Sequence, residues 1–377
     1  MAIQACGCMF STVVTKCACR FPGSILRMSE TVAQVSPKQR LAGLDALRGL
    51  AALAVMVYHY TGTKAGHAGS HESRQLVHLQ YGVHLFFAIS GFVIFLTLEK
   101  SRSWSDFVIS RFARLYPPFW VCLALTWLVV LAFGLPGRET SVRDLAWNVT
   151  MVPTLLNLTL FRGGDPVAPV DGVYWSLQVE LMFYAWSLVV WWLVGSRRMV
   201  WVATAWCALA AASAWWPPGM LAKSISFVGL LEWAPFFSIG ILAHELGSRG
   251  VSSGSLGLLA SLTAALVAGA PLALGVGVAV AVLFWVFMRI KHPPAALHGL
   301  VWVGLVSYPL YLTHQNIGYI SIRQLSHAGV PYFWSLALVS AGALLLAGIL
   351  HYVAEMPLTR LCRQSLVGLR DRLNARQ

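Results

Sequence analysis

Two ionisable residues on one apolar stretch carry the first chemical signal. Leu41–Tyr60, reading LAGLDALRGLAALAVMVYHY, holds Arg48 and His59 eleven positions apart. At roughly 100° per residue, that spacing returns to within about 20° of the same helix face, about 16 Å along the axis. Asp45 lies one turn before Arg48, close enough to orient it. Ionisable groups inside an apolar span are costly, so they face a protein interior or a wet cavity and mark a site. Imidazole ordinarily titrates nearest neutrality, which makes His59 the candidate general base. Arg48 is read either as a structural partner of Asp45 or Glu180, or as a fixed cation that stabilises developing negative charge.

Other constellations lie downstream. Glu180, in WSLQVELMFY, is a carboxylate close to an apolar run; it either orients His59 as the acid of a triad does, or locks helices together. Trp175 and Ser176 stand about one turn away and are candidate cavity residues. Arg111 and Arg114, in FVISRFARLYPPFW, are one turn apart and would clamp phosphate oxygens, or would simply anchor a basic loop. Ser90, in FFAISGF, lacks the GxSxG context of a nucleophile elbow, and small residues in spans favour close helix packing. His314, in SYPLYLTHQ with Tyr311, would bind an acceptor hydroxyl or make an interhelical hydrogen bond. Glu355, with Pro357, reads as a local stabiliser at the end of the last span. Cys6, Cys8, Cys17 and Cys19 form two CxC steps with no His beside them, and no metal site is expected.

These residues need apolar helices to hold them. Hydrophobic residues make up 58% of the chain and charged residues 11%, against roughly 25% charged in soluble proteins. The expectation is an all-α, polytopic membrane bundle of about ten transmembrane helices. Its spans are placed at 41–60, 81–98, about 117–133, from inside VYWSLQVELMFYAW to about 194, then 199–216, 227–246, 255–272, 275–287, 300–320 and 332–353. Pro117 and Pro118 are expected to kink the chain where the third span begins, and MVPTLLNLTL is expected to form a re-entrant or interfacial segment. Residues 1–40 read as a disordered or misassigned extension, 41–357 as the membrane domain and 358–377 as a basic cytoplasmic tail. A net charge of +13 would suggest nucleic acid in a soluble protein. Here Lys and Arg gather in the loops that put both termini in the cytoplasm, so no nucleic-acid partner is expected. Anionic headgroups or an anionic donor are the natural partners.

Six segments in order, LDALRGLAALAVMVYHY, GVHLFFAISGFVIF, FVISRFARLYPPFW, VYWSLQVELMFY, LVSYPLYLTHQ and HYVAEMP, resemble the bacterial acyltransferase 3 family of O-antigen and exopolysaccharide O-acyltransferases. The likeness covers residues 41–357. Ala46 departs from it, where the family often has glycine before the LRG triplet. The resemblance implies transfer of an acyl group, commonly acetyl, from acyl-CoA to a hydroxyl of a carbohydrate or lipid-linked glycan, in the bacterial inner membrane. It implies no tightly bound cofactor, acyl-CoA being a co-substrate. Arg48 and His59 match the family's Arg-x10-His motif, His59 being the expected base. Arg111 and Arg114 match its RxxR pair, expected to engage the CoA portion. Ser90, Trp175, Ser176 and Glu180 match motifs of less defined role. The competing readings are an exporter of a polysaccharide intermediate, an acyltransferase for a small-molecule acceptor, and a scaffold whose buried charges only pair helices.

Overall fold

A computed structural model describes residues 42–62, 76–152, 166–269, 271–290 and 292–375. The N-terminal extension 1–40 and all but the first two residues of the MVPTLLNLTL segment lie outside them. The described residues are helical, with no strand among them. In chain order the helices are α1 (Ala42–Thr61), α2 (Gly82–Lys100), α3 (Trp104–Phe133), α4 (Val142–Asn148), α5 (Trp175–Val194), α6 (Met199–Ser213) and α7 (Met220–Val228). There follow α8 (Ala234–Arg249), α9 (Ser253–Ala268), α10 (Pro271–Met288), α11 (His298–Leu305), α12 (Ser307–His327), α13 (Tyr332–Leu350) and α14 (Met356–Asn374).

Five described segments are long and apolar enough to cross a membrane, or six if α11 and α12, bent by 70°, count as one broken span. The expected ten exceeds this for physical reasons. Helices α6 and α9 have 15 and 16 residues, short of the about 20 that a bilayer core requires. The expected span 227–246 divides into α7 and α8 at the turns around Gly229 and Leu230, the latter at a φ of 53°. Helix α1 has the length, but Asp45, Arg48 and His59 dilute its apolar character.

The prolines of the site helices sit in two different settings. Pro117 and Pro118 lie inside α3, which runs unbroken for 30 residues, so the basic RxxR segment and the apolar span form one element. Pro309 lies in the first turn of α12, where its missing N–H removes no helical bond. The chain breaks just before it, at Val306, and Ser307 Oγ donates to the Gly304 carbonyl across the break (2.8 Å). This break lets α12 turn its Tyr308–Gln315 stretch toward α1, α3 and α5.

Small residues bring the site helices together. A Cβ on Gly240 of α8 would fall 1.8 Å from the Ala88 carbonyl oxygen of α2, and one on Gly91 of α2 would fall 2.0 Å from that of Phe237. Gly304 of α11 meets the Asp45 carbonyl in the same way, at 1.8 Å. Helices in lipid gain little from apolar burial against each other, so backbone approach through glycine is how they pack. Around the α2–α8 seam, Phe237 stacks on Phe183 of α5, with centroids 3.9 Å apart, and on Phe87, at 4.9 Å.

Candidate functional site

Two polar centres are built on this frame. The first is a cavity of about 80 Å³ lined by Arg48 of α1, Ser90 of α2, Arg111 and Arg114 of α3, Glu180 and Tyr184 of α5, and Tyr308 and Tyr311 of α12, among others. That volume accommodates a few waters and nothing larger. Glu180 is held inside it: Ser90 Oγ and Tyr184 Oη both donate to Glu180 Oε1 at 2.6 Å. Hydrogen bonds to a charged group contribute about 1.5–3 kcal/mol each, so this carboxylate is firmly placed. Three guanidiniums therefore surround one fixed anion.

Arg111 is cradled by α2, through Nη2 to Thr97 Oγ1 (3.1 Å), while Phe107 and Tyr184 rings lie 5.9 Å from its guanidinium carbon. Its Nε is buried with no hydrogen-bond partner. A buried orphan donor on a charged group is costly, and a ligand oxygen would satisfy it. Ser176 and Tyr311 share a hydroxyl–hydroxyl bond of 2.6 Å at the cavity wall, and Tyr308 Oη donates to the Leu115 carbonyl (2.8 Å).

The second centre is a histidine pair joining α1 to α12. His59 Nδ1 lies 2.9 Å from His314 Nε2, and His314 Nδ1 lies 2.9 Å and 3.1 Å from the carbonyls of Tyr311 and Leu310. Carbonyl oxygens only accept, so His314 Nδ1 carries its proton and Nε2 its lone pair. His59 Nδ1 must then be the donor between the rings, which puts the lone pair of neutral His59 on Nε2. In the serine-protease triad a neighbour likewise fixes the tautomer of a histidine; here that neighbour is a second imidazole. His314 is 2% exposed, and Tyr60 Oη donates to its backbone carbonyl (3.0 Å). The Tyr60 ring fits only because position 318 is glycine, where a Cβ would fall 2.2 Å from Cε1. Tyr319 meets His59 edge-on, with centroids 6.4 Å apart.

Asp171 ties α12 to the chain entering α5. Fully buried, it accepts from the backbone N–H of Val173 (3.2 Å) and Asn316 (3.1 Å). Burial pushes its carboxyl up to about 7, against the pull of those donors.

The sequence-predicted residues divide between the centres. Arg48, Ser90, Arg111, Arg114, Ser176, Glu180 and Tyr311 line the cavity; His59 and His314 do not. Glu180 does not serve as the acid of a triad on His59: Ser90 and Tyr184 hold it, and His314 takes the orienting position. Both ring nitrogens of His314 are engaged, Nε2 with His59 and Nδ1 with the Tyr311 and Leu310 carbonyls, so it makes the interhelical hydrogen bond, one of its two expected roles. Trp175 is 39% exposed, packs against Phe87 and Trp233, and does not line the cavity. Asp45 is buried where α1 crosses Gly304 and does not line the cavity either. Tyr184 and Tyr308 are additions. Tyr184 was detectable, four residues after Glu180 and so on the same face; Tyr308 had no such signal. Among the described residues, no group of three or more His, Cys, Asp or Glu could hold a metal ion.

Comparison with known proteins identifies the family. The acyltransferase domain of the acyltransferase 3 family matches residues 41–352. The chain is 28% identical over 374 residues to acyltransferase MdmB of Streptomyces mycarofaciens, covering 85% of this chain and 92% of that protein. It is 28% identical over 170 residues to protein 2 in the picA locus of Rhizobium radiobacter, covering 40% of this chain and 85% of that one. Nodulation protein 10 of Rhizobium leguminosarum bv. viciae is 30% identical over 119 residues, 27% of this chain and 30% of its own length. No solved structure matches. The chain belongs to the acyltransferase 3 family and is a helical membrane acyltransferase.

Proposed function

We propose that this acyltransferase moves a short acyl group, acetyl in the first instance, from acyl-CoA to a hydroxyl of a carbohydrate such as a cell-surface or exported polysaccharide. It would work in the bacterial cytoplasmic membrane, with both termini and the Arg111–Arg114 end facing the cytoplasm. The observation that carries the reading is the His59–His314 pair, a neutral base of fixed tautomer on the helix that also supplies Arg48 to a basic cavity.

The donor's phosphates are bound from the RxxR end, where two arginines one turn apart present planar donor forks. The acceptor hydroxyl gives its proton to His59 Nε2 as its oxygen attacks the thioester carbonyl. Collapse of the tetrahedral adduct breaks the carbon–sulfur bond, and the CoA thiolate leaves and recovers the proton from His59. No covalent acyl-enzyme is needed. Arg48 and His59 are about 16 Å apart along α1, too far to touch one carbonyl together. Arg48 therefore belongs to the donor path, and the extended arm of CoA spans the interval to the base. The cavity must widen for this arm, a rearrangement of the kind that commonly accompanies ligand entry.

The test uses membranes containing the full chain, labelled acetyl-CoA and a polysaccharide fraction of the host. Wild type is expected to label the glycan, and His59→Ala, inserted at equal level, is expected to fail. Undiminished transfer by that variant removes His59 as base. Label appearing only in a small molecule removes the glycan.

A further inference from the structure

Behind Arg114 stands a pair of side chains that does not reach the cavity. The span α13 does not pass smoothly into α14: His351–Glu355 is a π turn. Such turns are uncommon and often lie at functional sites, because the extra residue re-aims side chains. Here His351 and Glu355 face inward, 7% and 5% exposed, while Tyr352 and Val353 face outward at 55% and 72%. Glu355 Oε2 lies 2.6 Å from His351 Nδ1, and Glu355 Oε1 lies 3.9 Å from Arg114 Nη1. Helix α14 is braced along the beginning of α3 by Arg370 on Asp106, which fixes the turn against the RxxR segment.

We propose that His351 and Glu355 are a positioning pair for Arg114, setting the aim of the cation that receives the donor's phosphates. This rests on the donor-site reading above. A buried carboxylate is retained at a cost unless it is paired. Glu355 spends one oxygen on His351, which keeps the carboxylate in place, and offers the other to a single guanidinium nitrogen. The remaining N–H groups of Arg114 stay available for phosphate oxygens. Glu355 also adds a second carboxylate beside the three guanidiniums of the cavity, whose own anion is Glu180. It thus restrains their mutual repulsion without occupying the ligand space, as Glu355 is not among the lining residues.

The test needs no acceptor: acetyl-CoA binding to the purified full-length protein is measured for Arg114→Ala, Glu355→Gln, Glu355→Asp and the double variant Arg114→Ala/Glu355→Gln. Losing a charge-assisted partner corresponds to about a tenfold weaker affinity for Glu355→Gln, with Glu355→Asp recovering most of it. Residues that act on one ligand through one another are non-additive, so Glu355→Gln should weaken binding less than about twofold once Arg114 is alanine. A full tenfold further loss in that background, or wild-type affinity for Glu355→Gln while Arg114→Ala weakens binding, overturns the positioning role alone. Wild-type affinity for Arg114→Ala overturns the donor site and this proposal with it. Where Glu355→Gln does not accumulate as folded protein, His351→Gln reads the same coupling: about threefold weaker binding is expected. An effect undiminished in the Arg114→Ala background refutes it.

Discussion

The two polar centres differ in nearly every physical respect. The cavity is charged, drawn from five helices, and holds its carboxylate by two hydroxyl donors at 2.6 Å. The histidine pair is made of two imidazoles from two helices, and His314 is ordered by backbone carbonyls. A charged ligand calls for the first arrangement, because fixed guanidiniums gain Coulomb energy wherever water is scarce. Proton transfer near neutral pH calls for the second, because an imidazole must be unprotonated before it accepts. Tyr311 belongs to both: its hydroxyl is on the cavity wall and its carbonyl anchors His314. On the proposed function, binding and chemistry are separated along α1 and α12, and they should respond separately to substitution.

The largest effect is expected at His59. General-base catalysis contributes typically 10²–10⁴-fold, so His59→Ala should lower kcat by about 10³ while acetyl-CoA affinity remains within about twofold of wild type. A parallel fall in donor affinity would mean that the two centres are one.

His314 comes next. Replacing it by phenylalanine keeps a buried ring but removes the acceptor that holds the His59 Nδ1–H, leaving the tautomer unfixed. The expected loss in kcat is about 10²-fold, again with donor affinity unchanged; His314→Gln, which keeps a carbonyl acceptor, should restore part of it. Equal rates for the two variants would reduce His314 to packing.

How far this division could be read in advance follows from the kind of signal each part leaves. Arg48, His59, Arg111, Arg114 and Glu180 are legible in the sequence, because each is an ionisable residue in or beside an apolar run. Their partners across helices are not. His59 and His314 are 255 positions apart, and no periodicity along either helix pairs them. The break at Val306 that aims α12 sits in a stretch of even apolar character, with Pro309 as its one local mark. Helical class is secured by composition, whereas span number is not, because short, glycine-rich and bent helices pack by backbone approach and need little length or hydropathy of their own. The π turn leaves no sequence mark at all beyond the i, i+4 spacing of His351 and Glu355.

On the charged side, Arg111→Ala is expected to raise the donor KM about tenfold with kcat within about twofold, the pattern of lost ground-state binding. Arg111→Lys should recover little, because its planar fork carries the buried Nε that has no protein partner. A fall in kcat at constant KM would move Arg111 from binding to chemistry and break the comparison.

Ser90 offers the smallest effect and the sharpest discrimination. Its hydroxyl donates to Glu180 Oε1 at 2.6 Å, and Tyr184 donates to that same oxygen at the same distance. If Ser90 only places the carboxylate, Ser90→Ala removes one of two equivalent donors, and Tyr184 keeps Glu180 oriented. The expected cost is about threefold in donor KM, below the full worth of a hydrogen bond to a charged group because the second donor remains. If Ser90 were instead a nucleophile passing through an acyl-enzyme, alanine would abolish transfer, since a triad-type enzyme without its nucleophile keeps only residual activity. The two outcomes differ by several orders of magnitude, so a single rate measurement separates them. The geometry favours the smaller one: Glu180 is a carboxylate with two donors already on one oxygen, and the base of fixed tautomer lies at the other end of α1.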